Sequence, residues 1–246
     1  PAVLFLLSPK RVGDARADTD VGRSGTTFPL HHRMPAPAKN SDLHGNVPDQ
    51  CSVALILIDV ISDMEFEDGE AIFANALPAA RKLARLRRRA REARVPVIYV
   101  NDNFGKWRSD FRQQLGHVLE DGVRGQPIAE LLRPDEDDYF VLKAKHSGFY
   151  DTQLDLLIEY LQVRTVVIAG FTTDICVLFT ASDAYLRDLD IVIPPDCSAA
   201  ATAEYHQQAM EHMTRVLHAS VIPSTDIDFA ELVDQSEQME KAHQNG

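Results

Sequence analysis

The chain has little cysteine, a single tryptophan and no long apolar run. Its three cysteines, Cys51, Cys176 and Cys197, are odd in number and make no C-x-x-C spacing. That excludes a disulfide framework and a thiolate zinc site, and it points to a reducing, cytoplasmic setting. The apolar stretch Val3–Leu7 lacks a basic flank and is too short for a signal segment. Nothing else approaches the roughly 18 uninterrupted apolar residues of a membrane span, so no membrane partner is expected. Positive charge is in deficit: the net charge is −12 with a pI near 5.1. An acidic surface gives no electrostatic reason to seek nucleic acid or anionic lipid.

What is present is ordinary material for a globular core: 45% hydrophobic and 25% charged residues over 246 positions. Residues 1–50 differ from the rest. Pro1, Pro9, Pro29, Pro35, Pro37 and Pro48 interrupt a polar, glycine-dotted stretch with no helical or alternating period. Such a segment is expected to be an extended or partly disordered arm, or one that wraps a neighbouring subunit. A single folded domain is expected over 51–246.

From Cys51 onward, short apolar runs alternate with helical patterns. Val53–Asp59 is continuous rather than alternating in hydrophobicity, as suits a parallel strand covered on both faces. A helix is predicted over about 70–94, then a strand over 95–100 with Pro96 at its start. A loop-rich section with a short helix near 128–132 leads to a strand at 139–143 and a helix at 152–161. Strands at 165–170, 191–193 and 220–222 are interleaved with helices at 174–187 and 204–218, and a terminal helix covers 227–241. This order predicts an α/β fold with a doubly wound, mainly parallel sheet and helices on both faces.

Ligands of open α/β sheets bind beyond the carboxyl ends of the strands. Asp59 ends the first strand, Lys143 ends the third, and Cys176 follows the fourth at the entry to a helix. Taken singly, an acid at a strand end commonly caps a turn, and a cysteine in an apolar helix is commonly inert. Together they supply a thiol nucleophile, a cation and helix N-terminus that favour thiolate, and an acid that shuttles a proton. Backbone N–H groups of the turn 170–176 can face a developing oxyanion.

The motifs around these residues resemble the isochorismatase-like cysteine hydrolases. Gly170-Phe171-Thr172-Thr173-Asp174-Ile175-Cys176-Val177 is similar to the family's nucleophile turn G-V-x-T-[ND]-x-C-V. Lys143 through Phe149 is similar to K-x-x-x-S-[AG]-F, and Asp196 through His206 to the D-x-x-[SA]…E-x-H stretch that follows. The resemblance spans about residues 51–225 in order. It implies a catalytic triad of Asp59, Lys143 and Cys176, an oxyanion hole from the amides of Thr172 and Cys176, and a cis peptide between Phe171 and Thr172. The spacing to Ser147 and Phe149 selects Lys143 over Lys145. A homo-oligomer, dimer or tetramer, is implied by the resemblance alone.

The metal-binding members of the superfamily place an acid and two histidines after the second strand. Here that region reads Asn101-Asp102-Asn103-Phe104-Gly105-Lys106-Trp107, without histidine. No metal and no cofactor is therefore expected. Phe104, Trp107 and Phe149 are candidate walls of a substrate pocket, and His206 is expected to pack or hydrogen-bond within its helix. The function expected is cleavage of a small amide, ureido or carbamoyl C–N bond through a Cys176 acyl-enzyme. The alternatives are vinyl-ether hydrolysis of the isochorismatase type and a non-catalytic binding protein that keeps the fold. The crowd of arginines from Arg81 to Arg94 reads as a solvated helix face.

Overall fold

A computed structural model describes residues 50–103 and 110–244. The arm expected over 1–50 lies almost wholly outside these residues, as do Phe104 and Trp107. The described chain runs β1 (Val53–Ile58), α1 (Gly69–Glu92), β2 (Val97–Asp102), α2 (Phe111–Glu120), α3 (Gln126–Leu131), β3 (Tyr139–Lys143), α4 (Leu154–Leu161) and β4 (Thr165–Phe171). It continues through a π-helical turn (Thr173–Val177), α5 (Leu178–Tyr185), β5 (Asp190–Ile193), β6 (Ser198–Ala199), α6 (Ala203–Val216), β7 (Ser220–Val221) and α7 (Phe229–Gln244).

The strands form one seven-stranded sheet in the order β3-β2-β1-β4-β5-β7, with β6 paired to β4, and every pairing is parallel. The chain winds outward from β1 through β2 to β3, then returns to the other side of β1 and winds outward again. The switch point lies between β1 and β4, where a doubly wound sheet opens a crevice at its carboxyl edge. Apolar side chains of α1, α2, α3 and α7 fill one face and those of α4, α5 and α6 the other. Every residue of β1 and β4 is buried, which is why their sequences are continuously apolar. No described helix is long and apolar enough to cross a membrane.

Four elements depart from the expectation, one of them the two-residue β6. β2 begins two residues later than expected and runs on to Asp102, because its register pairs Val97 level with Leu55 and Asp102 level with Lys143. Pro96 thus precedes the strand, and its carbonyl accepts from Leu55 N at 2.9 Å. Helix α2 stands where a loop is expected: FRQQLGHVLE is polar and holds Gly116, but Asp110 caps it by accepting from Gln113 N at 2.9 Å. The helix expected at 174–187 is divided, with a π-helical turn carrying Cys176 ahead of α5.

The arginines of α1 are also not a uniformly solvated face. Arg87 donates to the Tyr99 hydroxyl and the Arg133 carbonyl, Arg89 to the carbonyls of Ser224 and Ile227, and Arg91 pairs with Asp135 and Asp138. These side chains tie α1 to the strand and the loops beside it.

Candidate active site

Asp59 directly follows β1 and adopts φ +51°, a left-handed conformation that short acidic side chains tolerate. This turns its carboxylate across the sheet edge, where Oδ1 accepts from the backbone N of Asp102 at 2.6 Å. Its other oxygen, Oδ2, lies 2.8 Å from Lys143 Nζ. Lys143 ends β3 with its side chain 0% exposed. A buried ammonium persists only with close counter-charges; Asp59 supplies one and Asp102 a second, with its Oδ2 3.6 Å from Nζ. Cys176 Sγ stands 3.5 Å from the same Nζ. The acid, the cation and the thiol thus meet at the carboxyl edge of the sheet, the lysine reaching in from β3, two strands removed from β1.

The electrostatics are those of a protonated resting thiol. Burial pushes the Cys176 pKa up to about 12; the Asp59 charge adds to the rise, and Lys143 offsets only part of it. Lys143 favours the thiolate, as expected, but burial and the Asp59 charge outweigh it. The cysteine sits in a π-helical turn, not at a regular helix N-terminus, and it faces a carboxylate as well as a lysine. Burial also raises the Asp59 carboxyl, a rise that Lys143 moderates. For Lys143, burial acts downward, but Asp59, Cys176 and Asp102 together hold the ammonium above its usual range. A raised carboxyl beside a raised thiol is arranged for proton exchange between the two.

The Phe171–Thr172 peptide is cis. The Thr172 carbonyl accepts from Ile175 N at 3.3 Å and Val177 N at 3.1 Å, closing the turn that carries Cys176. His206 hydrogen-bonds through Nδ1 to Thr173 Oγ1 at 2.8 Å, so it braces this turn from α6. Phe149, offered as a pocket wall, belongs to the core: it is 2% exposed, with the Arg187 guanidinium 4.6 Å from its ring centroid. Lys145 lies past the end of β3 on the exposed turn that follows, so strand alternation does not place it beside Lys143. Among the described residues, no group of three or more His, Cys, Asp and Glu side chains is placed to hold a metal ion.

Two neighbours of the site escaped the sequence reading. Asp102 was missed because β2 was ended at Val100; with the parallel register known, it stands at a strand terminus like Asp59 and Lys143. His146, with Nδ1 4.0 Å from Cys176 Sγ, occupies a position of the Lys143–Phe149 segment that the motif leaves open.

Comparison with known proteins matches most of the described chain to one family. The isochorismatase domain model matches residues 53–226. An uncharacterized isochorismatase family protein of Bacillus subtilis, YaaI, is 37% identical over 174 residues, 71% of this chain and 95% of that protein. A probable inactive nicotinamidase of Arabidopsis thaliana is 28% identical over 165 residues, 63% of this chain and 84% of its own length. The crystal structure of N-carbamoylsarcosine amidase from Thermoplasma acidophilum superposes with a TM-score of 0.56 at 27% identity, covering 72% of this chain and 99% of that one. The chain belongs to the isochorismatase family.

Proposed function

We propose, from membership of the isochorismatase family and the geometry at the strand ends, that this protein hydrolyses a small amide, ureido or carbamoyl C–N bond with Cys176 as nucleophile. The observation that carries the reading is the buried Lys143 ammonium, 2.8 Å from Asp59 Oδ2 and 3.5 Å from Cys176 Sγ. The likeness to an N-carbamoylsarcosine amidase supports the bond class.

In this reading the thiol proton passes to Asp59 as Sγ attacks the carbonyl carbon, and Lys143 balances the charge on sulfur. The amides of Thr172 and Cys176 hold the oxyanion. Collapse breaks the C–N bond, and Asp59 returns the proton to the departing nitrogen. Water then attacks the thioester, with Asp59 taking its proton and restoring it to sulfur. A thiol with a pKa of about 12 stays protected by its proton until a substrate is in place.

Cys176→Ala tests the reading. Turnover of any amide the wild type cleaves is expected to fall by about 10⁴-fold or more, with the circular dichroism spectrum unchanged. Intact-mass measurement of the wild type during turnover should show an acyl adduct confined to Cys176. Undiminished amide hydrolysis by Cys176→Ala would sink the mechanism, and vinyl-ether cleavage retained by that variant would favour the isochorismatase type of chemistry.

A further inference from the structure

We infer that His146, backed by Phe179, is a substrate-contacting specificity residue that reads a polar substituent on the acyl side of the carbonyl carbon. The inference rests on Cys176 as the nucleophile and adds a contact on the solvent-exposed side of the thiol.

The thiol has a closed side and an open side. Lys143 is fully buried and the Asp59 side chain nearly so, at 15% exposed. Toward solvent stands His146, an exposed residue with Nδ1 4.0 Å from Sγ. Its ring packs at 5.4 Å, tilted by 50°, on Phe179, which is three residues along the chain from Cys176 and 51% exposed. A phenyl ring half in water is poorly used as core, but it fixes the imidazole by contact and narrows the directions its nitrogens can point.

A tetrahedral carbon on sulfur has three further substituents. In the proposed reaction the oxygen turns to the amides of Thr172 and Cys176, and the departing nitrogen turns to Asp59. The third substituent, the remainder of the acyl group, is left with the open side. A gap of 4.0 Å from Sγ to Nδ1 is spanned by the carbon, its substituent and one hydrogen bond. Direct hydrogen bonding to the sulfur at that distance is weak, so the imidazole is placed to serve what becomes attached to the sulfur. The substrates favoured are those with a hydrogen-bonding atom on the acyl carbon or one bond beyond it, over those with a plain alkyl group there.

The test uses alkylation of Cys176, followed by intact mass and peptide mapping, and so needs no knowledge of the natural substrate. Iodoacetamide places a carboxamide beside the carbon that bonds to sulfur; allyl iodide places only hydrocarbon there. His146→Ala is expected to slow iodoacetamide roughly three- to tenfold, the worth of one hydrogen bond, and to leave allyl iodide within about twofold. His146→Gln should recover most of the loss, and Phe179→Ala should show part of it. Both residues are exposed, so the variants retain the core. Equal slowing of both reagents would overturn the inference by showing that His146 acts on the thiol itself. No change with either reagent would overturn it as well. If the wild type cleaves no amide while the reagent selectivity holds, the proposed hydrolysis fails and the contact stands. If amides are cleaved and the selectivity is absent, the contact fails and the hydrolysis stands.

Discussion

The central strand β1 and the edge strand β3 each deliver one charged member of the same ion pair, from opposite kinds of environment. β1 is flanked by β2 and β4 and is buried along its whole length. Among the described residues β3 has a neighbouring strand on one side only, and Phe140, its second residue, is 55% exposed. Yet it is Lys143, on the edge strand, whose side chain is fully buried, while Asp59 beyond the central strand keeps some contact with solvent. Strand position therefore does not set the burial of the site. What does is the pairing at the carboxyl edge: Cys176 and the carboxylates of Asp59 and Asp102 surround the ammonium, which must be paired because it cannot be hydrated.

The sharpest way to break this arrangement is at the central pair. Gly170 on β4 has φ +129°, and a Cβ there would lie 2.1 Å from the Ile58 carbonyl oxygen. Gly170→Ala is expected to cost more than about 4 kcal/mol or to prevent folding, read from urea unfolding or soluble yield. Lys143→Ala removes the edge-strand member and leaves Asp59 buried without its main counter-charge. A loss of about 3–5 kcal/mol is expected; a stability equal to wild type would mean that the pair is hydrated in solution. Truncation of apolar side chains compares the two strands directly. Ile56→Ala in β1 should cost about 2–5 kcal/mol, whereas Phe140→Ala should cost clearly less, since half its surface already meets water. Its residual cost reports the stacking on Phe111, at a 5.1 Å centroid distance and 10° between planes. Similar losses in the two variants would show that the edge is covered in solution.

The smallest effect concerns the clamp beside the site. His117 on α2 contacts Asp121 at 2.7 Å and Asp63, in the loop after β1, at 3.4 Å. The bond to Asp121, ahead of that to Asp63, raises its pKa above the ordinary 6.5. The folded state thus binds the proton more tightly than the unfolded chain. The stability it lends is complete below pH 6.5 and is lost as pH rises through the raised value. Because the ring is exposed, the contribution should stay under about 1 kcal/mol. Thermal unfolding across pH 5–9 of the wild type should lose this increment, and His117→Gln should flatten that part of the profile.

Much of the fold was legible in the sequence because a parallel sheet covered on both faces leaves a direct imprint. The runs at 53–58 and 165–171 are continuously buried, and together with the run at 139–143, which ends in Lys143, they marked their strands to within a residue. Helix α2 left no such imprint, since its burial rests on Phe111, Gln114 and Val118 alone. The two-residue strand β6 is too short for any period. In the site, Asp59, Lys143 and Cys176 were each visible as chemistry-bearing residues at predicted strand or helix ends. Asp102 was hidden by the misplaced end of β2, and His146 by lying outside every periodic element.

The sequence by itself determined the alternation of strands and helices, and with it the side of the sheet on which a site has to form, because hydrophobic period and strand direction are local properties. The pairing of a buried lysine with two carboxylates, the rise of the thiol pKa to about 12 and the imidazole on the open side of the sulfur were decided only by the tertiary structure. They depend on desolvation and on distances between residues up to 117 positions apart in the chain, as Asp59 and Cys176 are, and no local pattern encodes either.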